Sequence, residues 1–90
     1  MHAIVGRSTV HDKEKGRNFL KEQAIPRLTQ TPGFVGGYWV ALDDNTGASI
    51  VVFETEEGAT TAAEQLKTNP PPTEAVTINS IQVGEVVGNA

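Results

Sequence analysis

The sequence predicts an α+β fold with the element order β-α-β-β-α-β, in which two helices cover one face of a four-stranded antiparallel sheet. Three observations lead to this prediction. The 90-residue chain divides into two similar halves, each combining strands with a helix. The spacing of apolar residues changes twice from that of a strand to that of a helix. The predicted strands are apolar on both sides, which is typical of a sheet covered on both faces.

Size and composition limit the possible classes of protein. A chain of 90 residues and 9.6 kDa accommodates one small domain, and we expect residues 1–90 to form it. Folding buries about 63% of the unfolded surface of such a chain, so the core is thin. The absence of cysteine excludes disulfides, thiolate zinc sites and cysteine nucleophiles. Because the net charge is −4 and no membrane span or signal peptide is apparent, we expect a cytoplasmic protein that binds neither nucleic acid nor membrane.

The first half of the chain is predicted to form a strand and then a helix. Residues 3–10 are a short apolar, β-branched run, which indicates a strand. Asp12 is placed to cap a helix whose apolar positions recur with helical spacing over residues 16–28. Pro26 lies inside this pattern, and we expect it to kink the helix or end its regular part, because proline lacks an amide donor and crowds the preceding turn. Residues 31–33 (TPG) end the segment.

A hairpin is predicted next. Residues 34–42 form the second strand, and Gly36 and Gly37 within it suggest a bulge or a close backbone approach. Residues 43–47 have the composition of a hairpin turn, in which Asn45 and Gly47 are able to take a positive φ. The third strand follows over residues 48–55.

The last segments repeat the pattern of the first half. Thr55 is predicted to cap a second helix, over residues 56–67, whose apolar stripe consists mainly of alanines. Residues 70–72 are three prolines, which predict a polyproline-like connector. A long last strand follows over residues 75–87, with a bend expected at Gly84.

This order is the ferredoxin-like motif, and right-handed crossovers place the first and third strands in the centre of the sheet. On the third strand, Ile50 and Val52 point to one face while Val51 and Phe53 point to the other. Two helices cover only one face, so the other face requires a partner. We predict a homodimer in which the sheet faces of two copies pack together.

Three stretches give the chain a resemblance to a known family. They are residues 25–28 (IPRL), 31–37 (TPGFVGG) and 50–57 (IVVFETEE), of which the TPGF corner is the most specific. With this element order, the chain resembles the dimeric α/β-barrel superfamily, and specifically the antibiotic biosynthesis monooxygenase (ABM) domain. The resemblance covers essentially the whole chain. It implies a dimeric barrel and a family that includes cofactor-free oxygenases, heme-degrading enzymes and proteins without known activity.

The chain departs from the heme-degrading members of this family. Those members resemble it in layout but carry an asparagine on the first strand, a tryptophan at the end of the third and a histidine on the second helix. Here the first strand has no asparagine, the third ends in Phe53, and the second helix has no histidine. The expected axial ligand of heme iron is therefore absent, and we predict no cofactor.

Other catalytic and binding motifs find no support. His2 and His11 are the only histidines, and their spacing fits no known ligand motif, so no metal site is predicted. Gly33, Gly36 and Gly37 precede a strand, whereas a phosphate-binding glycine loop opens a helix. The serines have no accompanying histidine and aspartate pattern of a hydrolase triad. The catalytic residues, if there are any, remain unassigned.

Two groups of side chains are candidates for lining a pocket. If the first and third strands are neighbours, Arg7 and Glu54 can lie side by side, either as an ordinary cross-strand ion pair or as a polar pair at a pocket mouth. The second group is aromatic and consists either of core residues or of the walls of a ligand cavity. Its members are Phe19, Tyr38, Trp39 and Phe53. The candidate pocket residues are thus Arg7, Phe19, Trp39, Phe53 and Glu54.

Two functions remain open at this stage. The first is a dimeric binding or accessory module for a small hydrophobic ligand, with the family's pocket filled by its own side chains. The second is a cofactor-independent monooxygenase acting on an aromatic or polyketide-like substrate held by Arg7, Trp39 and Phe53. The missing family residues favour the module. The space beneath the alanines of the second helix decides between them, because an empty cavity there favours an enzyme.

Overall fold

The computed structural model describes residues 1–71 and 74–90 and has the predicted element order. The predicted connector of prolines extends to Pro72, which lies outside the described residues. Within the described residues, no helix is long and apolar enough to cross a membrane. The elements are β1 (His2–Val10), α1 (Lys13–Phe19), a π-helical segment (Leu20–Ala24), α2 (Ile25–Thr29), β2 (Phe34–Ala41), β3 (Thr46–Phe53), α3 (Glu56–Thr68) and β4 (Val76–Glu85).

The four strands form one antiparallel sheet in the order β2-β3-β1-β4, so the first and third strands are central, as predicted. Ile4 on β1 pairs with Val51 on β3, and both side chains are buried against the helices. Phe53, two residues further along β3, is 0% exposed and lies at the centre of the core. The helices thus cover one face of the sheet, and the opposite face is uncovered in the single chain.

The first helical region comprises α1, the π-helical segment and α2, and its regular α-helix is interrupted just before Pro26. Asp12 caps α1, since the Lys15 amide donates to its carboxylate over 3.0 Å. Helical structure then continues through Pro26 to the end of α2. The π-helical segment explains this, because the Ile25 amide donates to the carbonyl of Leu20, five residues earlier. The wide turn accommodates the proline ring, which in an α-helix crowds the carbonyl four residues before it.

The β2–β3 hairpin shows the predicted bulge, where the register shifts between Phe34 and Gly36. Two residues of the turn adopt positive φ, Asp44 at 60° and Asn45 at 58°. Of the two residues suited to a positive φ, Asn45 adopts one, whereas Gly47 lies within β3. Two consecutive left-handed residues match the twist of the strands, which is why this turn suits a tight hairpin.

Helix α3 begins as predicted, since the Gly58 amide donates to the Thr55 hydroxyl over 3.0 Å. Its inner face consists of Ala59, Ala62 and Ala63, all of which are buried in the same cluster as Phe53. Because alanine is short, the helix lies close to the sheet. This close approach leaves little space between α3 and the sheet, which agrees with the thin core predicted from chain length.

Strand β4 is irregular at a position that the sequence did not indicate. Its register against β1 shifts opposite Arg7 and Ser8, where Ser80 and Ile78 are successive partners and Asn79 is the extra residue. The bend expected at Gly84 is not present, since Gly84 pairs regularly with Ala3. The bulge shifts the pairing register along β4 and leaves Asn79 to donate to the Thr9 hydroxyl over 2.9 Å.

Candidate functional site

An open groove of about 440 Å³ runs between the first helical region and α3. Its apolar floor is built from both sides, by Phe19, Ala24 and Leu28 on one and by Ala62 and Leu66 on the other. Phe19 and Ala24 are five residues apart, and they share this surface because the π-helical segment lies between them. A volume of this size is within the range of small-molecule sites.

The rim of the groove is polar and carries one positive charge. Arg27 is its cation, and an Nη atom lies 3.4 Å from the side-chain oxygen of Gln23. The Thr31 hydroxyl donates to the carbonyl of Arg27 over 3.1 Å and fixes the end of α2. The other polar lining groups are amides and hydroxyls, from Gln30, Thr31, Thr61, Gln65 and Asn69. This rim can therefore donate and accept hydrogen bonds around an apolar ligand.

A second depression, of about 400 Å³, continues from the groove across the corner at Pro32 and Gly33. The two spaces share Thr31, Pro32 and Thr61. Glu54, one of the predicted site residues, lies in this second depression together with Glu57. The combined surface is thus positive at the Arg27 end and negative at the end formed by the N-terminus of α3.

The space between the sheet and α3 is filled by the protein's own side chains. Phe53, Ala59 and Ala62 are each 0% exposed. The Phe53 ring packs edge-on against Phe34, with 6.0 Å between ring centroids and an interplanar angle of 76°. Phe53 therefore belongs to the core, and it is not among the residues that line either depression.

The uncovered side of the sheet, which we call the open face, is largely apolar. It carries five large hydrophobic side chains that are more than a third exposed, and Tyr38 is the most exposed of them at 74%. The pairing register places four of them on the strands β1, β3 and β2, because directly paired residues share a face. The fifth, Leu42, directly follows β2, and its amide donates to the carbonyl of Thr46 over 2.7 Å. The five are Val5, Tyr38, Val40, Leu42 and Ile50.

Arg7 and Glu54 do not meet, and the predicted cross-strand pair is wrong. Arg7 pairs with Ala48, whereas Glu54 follows Phe53, which pairs with His2 at the other end of the same ladder. The antiparallel register separates the two side chains by six residues, roughly 20 Å. Arg7 lies on the open face, and Glu54 lies at the corner before α3.

The remaining aromatic candidates are divided between the two faces. Trp39 packs against the core cluster on the helix side, whereas Tyr38 points to the open face. Phe19 is the one predicted aromatic that lines the groove. Sequence reasoning missed Arg27 and Gln65 because no motif marks them. A helical projection would not have found Arg27 either, because eight residues separate it from Phe19 and turn it by about 80° around the helix axis.

The two histidines lie at opposite ends of β1. The Nε2 atom of His2 is 3.4 Å from a carboxylate oxygen of Glu56, and the Nε2 atom of His11 is 2.7 Å from the Thr77 hydroxyl. Among residues 1–71 and 74–90, no three histidine, aspartate or glutamate side chains converge as a metal site would require.

Comparison with known proteins identifies the fold. No protein-family model matches this chain, and no curated protein matches its sequence. Among solved structures, SnoaB from Streptomyces nogalater, a cofactor-independent oxygenase, aligns over 98% of this chain and 94% of its own, with a TM-score of 0.73 and 19% identity.

Two other solved structures are similar. A dimeric ferredoxin-like protein from an uncultured marine organism aligns over 100% of this chain and 98% of its own, with a TM-score of 0.63 and 14% identity. MupZ from Pseudomonas fluorescens aligns over 91% of this chain and 69% of its own, with a TM-score of 0.65 and 13% identity. The chain therefore has the ferredoxin-like fold.

Proposed function

We propose that this protein is a homodimeric binding or accessory module that takes a small hydrophobic ligand and does not catalyse oxygenation. The observation that carries this proposal is the filled space between the sheet and α3, where Phe53, Ala59 and Ala62 are fully buried. A reaction that excludes water requires an enclosed cavity, and both depressions on the helix side are open to solvent.

The open face supports a second copy of the chain as the partner. Four strands spaced at about 4.8 Å, with eight residues rising about 3.3 Å each, project to roughly 500 Å². Side chains that stand off the sheet raise the accessible area towards the roughly 800 Å² that a stable interface buries on each partner. None of the open-face side chains described is a carboxylate, so two copies of a chain with net charge −4 meet there without acidic repulsion.

Light scattering during gel filtration at low micromolar concentration tests the dimer. The expected mass is twice the 9.6 kDa of the chain. Ile50→Lys places a charge in the open face and should produce monomers. Val83→Lys is the matched control, since Val83 is 38% exposed and Ile50 is 42% exposed. Val83 pairs with Ile4 in the sheet and therefore lies on the helix side, away from the open face. A folded wild-type monomer contradicts the proposal.

The ligand is assigned to the groove between the first helical region and α3. A titration with 1-anilinonaphthalene-8-sulfonate, followed by fluorescence, should saturate in the wild type. Thr61→Trp fills the groove from an exposed position on α3 and should abolish this saturation, whereas Thr60→Trp, also exposed on α3 but outside the lining, should preserve it. Equal binding by both variants would place the ligand elsewhere.

A second candidate function is the cofactor-independent oxygenase, which the similarity to SnoaB along almost the whole chain favours. Such chemistry converts an anthrone and O₂ to the anthraquinone and water. An oxygen electrode with anthrone as the probe distinguishes the two candidates. We expect no uptake above the buffer rate, and catalytic uptake that follows the folded protein contradicts the module.

A further inference from the structure

Arg7 is a positive charge near the middle of the open face. It lies on the central strand β1, with Ala48 of β3 beside it on one side and Ser80 of β4 on the other. Among the residues that the structure describes, its guanidinium is part of no ion pair and no side-chain hydrogen bond. In the single chain it is exposed to water, so this isolation has little energetic consequence there.

Arg7 is also the only charged side chain that the described part of the chain places on this face. Its neighbours along β1 are Val5 and Thr9, and the adjoining strands present neutral side chains such as Ile50 and Gln82. Glu85 is paired with His2 and belongs to the helix side. The carboxylates closest in register are those of Asp43 and Asp44, in the turn that precedes Thr46, the partner of Thr9.

A dimer formed through the open faces buries two copies of Arg7, one from each protomer. Twofold symmetry brings the same surface from both subunits, so the interface gains two guanidinium groups and no carboxylate from the faces themselves. Burying an unpaired charge is strongly unfavourable, and the cost is removed when an anion with matching hydrogen-bond acceptors is buried beside it.

We propose that the space between the two sheets binds an organic carboxylate, which is held by Arg7 of both protomers. This proposal rests on the homodimer proposed above and adds a ligand site that is incomplete without the partner. The planar guanidinium presents paired N–H donors that fit the two oxygens of a carboxylate. Val5, Ile50 and Tyr38 form the adjacent cross-strand row of the open face. Their apolar surface beside Arg7 favours a carboxylate on an aromatic or aliphatic body over an inorganic anion.

Sedimentation equilibrium of the full chain, with and without 1 mM 2-naphthoate, tests the site. A ligand that binds only the dimer strengthens dimerisation, and a dissociation constant of about 0.1 mM gives a roughly tenfold effect at 1 mM. We expect this tenfold tightening for the wild type, and less than a twofold change with 2-naphthamide, which has the same ring system without the charge.

Two variants identify the residue responsible. Arg7→Gln should dimerise at least as tightly as the wild type without any addition and should not respond to naphthoate. Arg17→Gln removes an exposed arginine of α1 that lines neither depression, and this variant should respond as the wild type does. A response that persists in Arg7→Gln, or a wild-type dimer that is indifferent to naphthoate, overturns the carboxylate site.

The failure of this proposal is distinguishable from the failure of the dimer. A protein that is monomeric under every condition removes both. In another outcome the wild type is a tight dimer that does not respond to naphthoate, and the double substitution Asp43→Asn and Asp44→Asn weakens dimerisation tenfold. The homodimer proposal then stands. This result would show that the anion beside Arg7 comes from the hairpin turn of the partner subunit, and it would overturn the ligand site.

Discussion

Replacing Phe53 with alanine tests whether the end of β3 forms the centre of the core. The ring is fully buried and packs edge-on against Phe34 at 6.0 Å. Removing a buried aromatic ring costs about 3–5 kcal/mol, because its transfer free energy is lost and a cavity remains. A domain of this length has a free energy of unfolding of roughly 5–13 kcal/mol, so the expected loss is a large share of the total.

Urea denaturation followed by circular dichroism measures this loss. All variants are compared at one protein concentration, since the stability of a dimer depends on it. Phe53→Leu retains most of the volume and should lose no more than about 1.5 kcal/mol. It provides a measurable variant if Phe53→Ala does not fold. Phe19→Ala, at the half-exposed groove wall, should cost less than Phe53→Ala because water replaces the missing ring.

A loss below about 1 kcal/mol for Phe53→Ala would refute this reasoning. The space under α3 would then relax without cost, and the filled core would not be the reason that the helix lies close to the sheet. The argument for a binding module over an enzyme would lose its main support.

Three further outcomes are expected. Thr55→Ala removes the hydroxyl that accepts from the Gly58 amide at 3.0 Å and should cost about 1 kcal/mol in urea melts, with Thr60→Ala, inside the same helix, as a near-neutral control. Gly37→Ala should cost about 1–3 kcal/mol in the same assay, because the added Cβ lies 3.1 Å from the Trp39 ring, whereas no atom lies within 4 Å of a Cβ at Gly36, so Gly36→Ala should change little. Hemin should give no saturable Soret shift, since α3 carries no histidine, and a one-to-one titration would contradict this expectation.

The fold was predictable because local patterns and topology rules agree. The capping residues Asp12 and Thr55 are recognisable in the sequence because a side-chain oxygen three residues before an amide has a fixed geometric role. The central position of β1 and β3 follows from the handedness of the crossovers. These rules depend only on the order of elements and on residues near one another in the chain.

The site was less predictable because it depends on register and on the phase of a helix. Arg7 and Glu54 could have met once their strands were neighbours, but adjacency of the strands was not sufficient, since the pairing places Arg7 beside Ala48. Similarly, nothing local marks the bulge at Asn79. The face occupied by Trp39 also depends on register, because a bulge at Gly36 changes which residues of β2 point to the helices.

The π-helical segment at Leu20–Ala24 makes this chain sensitive to its exact length between Phe19 and Pro26. Each residue of an α-helix turns the following residues by about 100° around the axis, so a one-residue deletion changes the direction of every later side chain unless the wide turn closes to an ordinary one. If the wide turn closed to an α-helical one, Ala24 would again share a face with Phe19. The ring of Pro26 would then crowd the carbonyl four residues before it. Lys21, Glu22 and Gln23 are all exposed to solvent, so substitutions there should be tolerated. Deletions in the same segment should be tolerated far less well, because they change the direction of every later side chain.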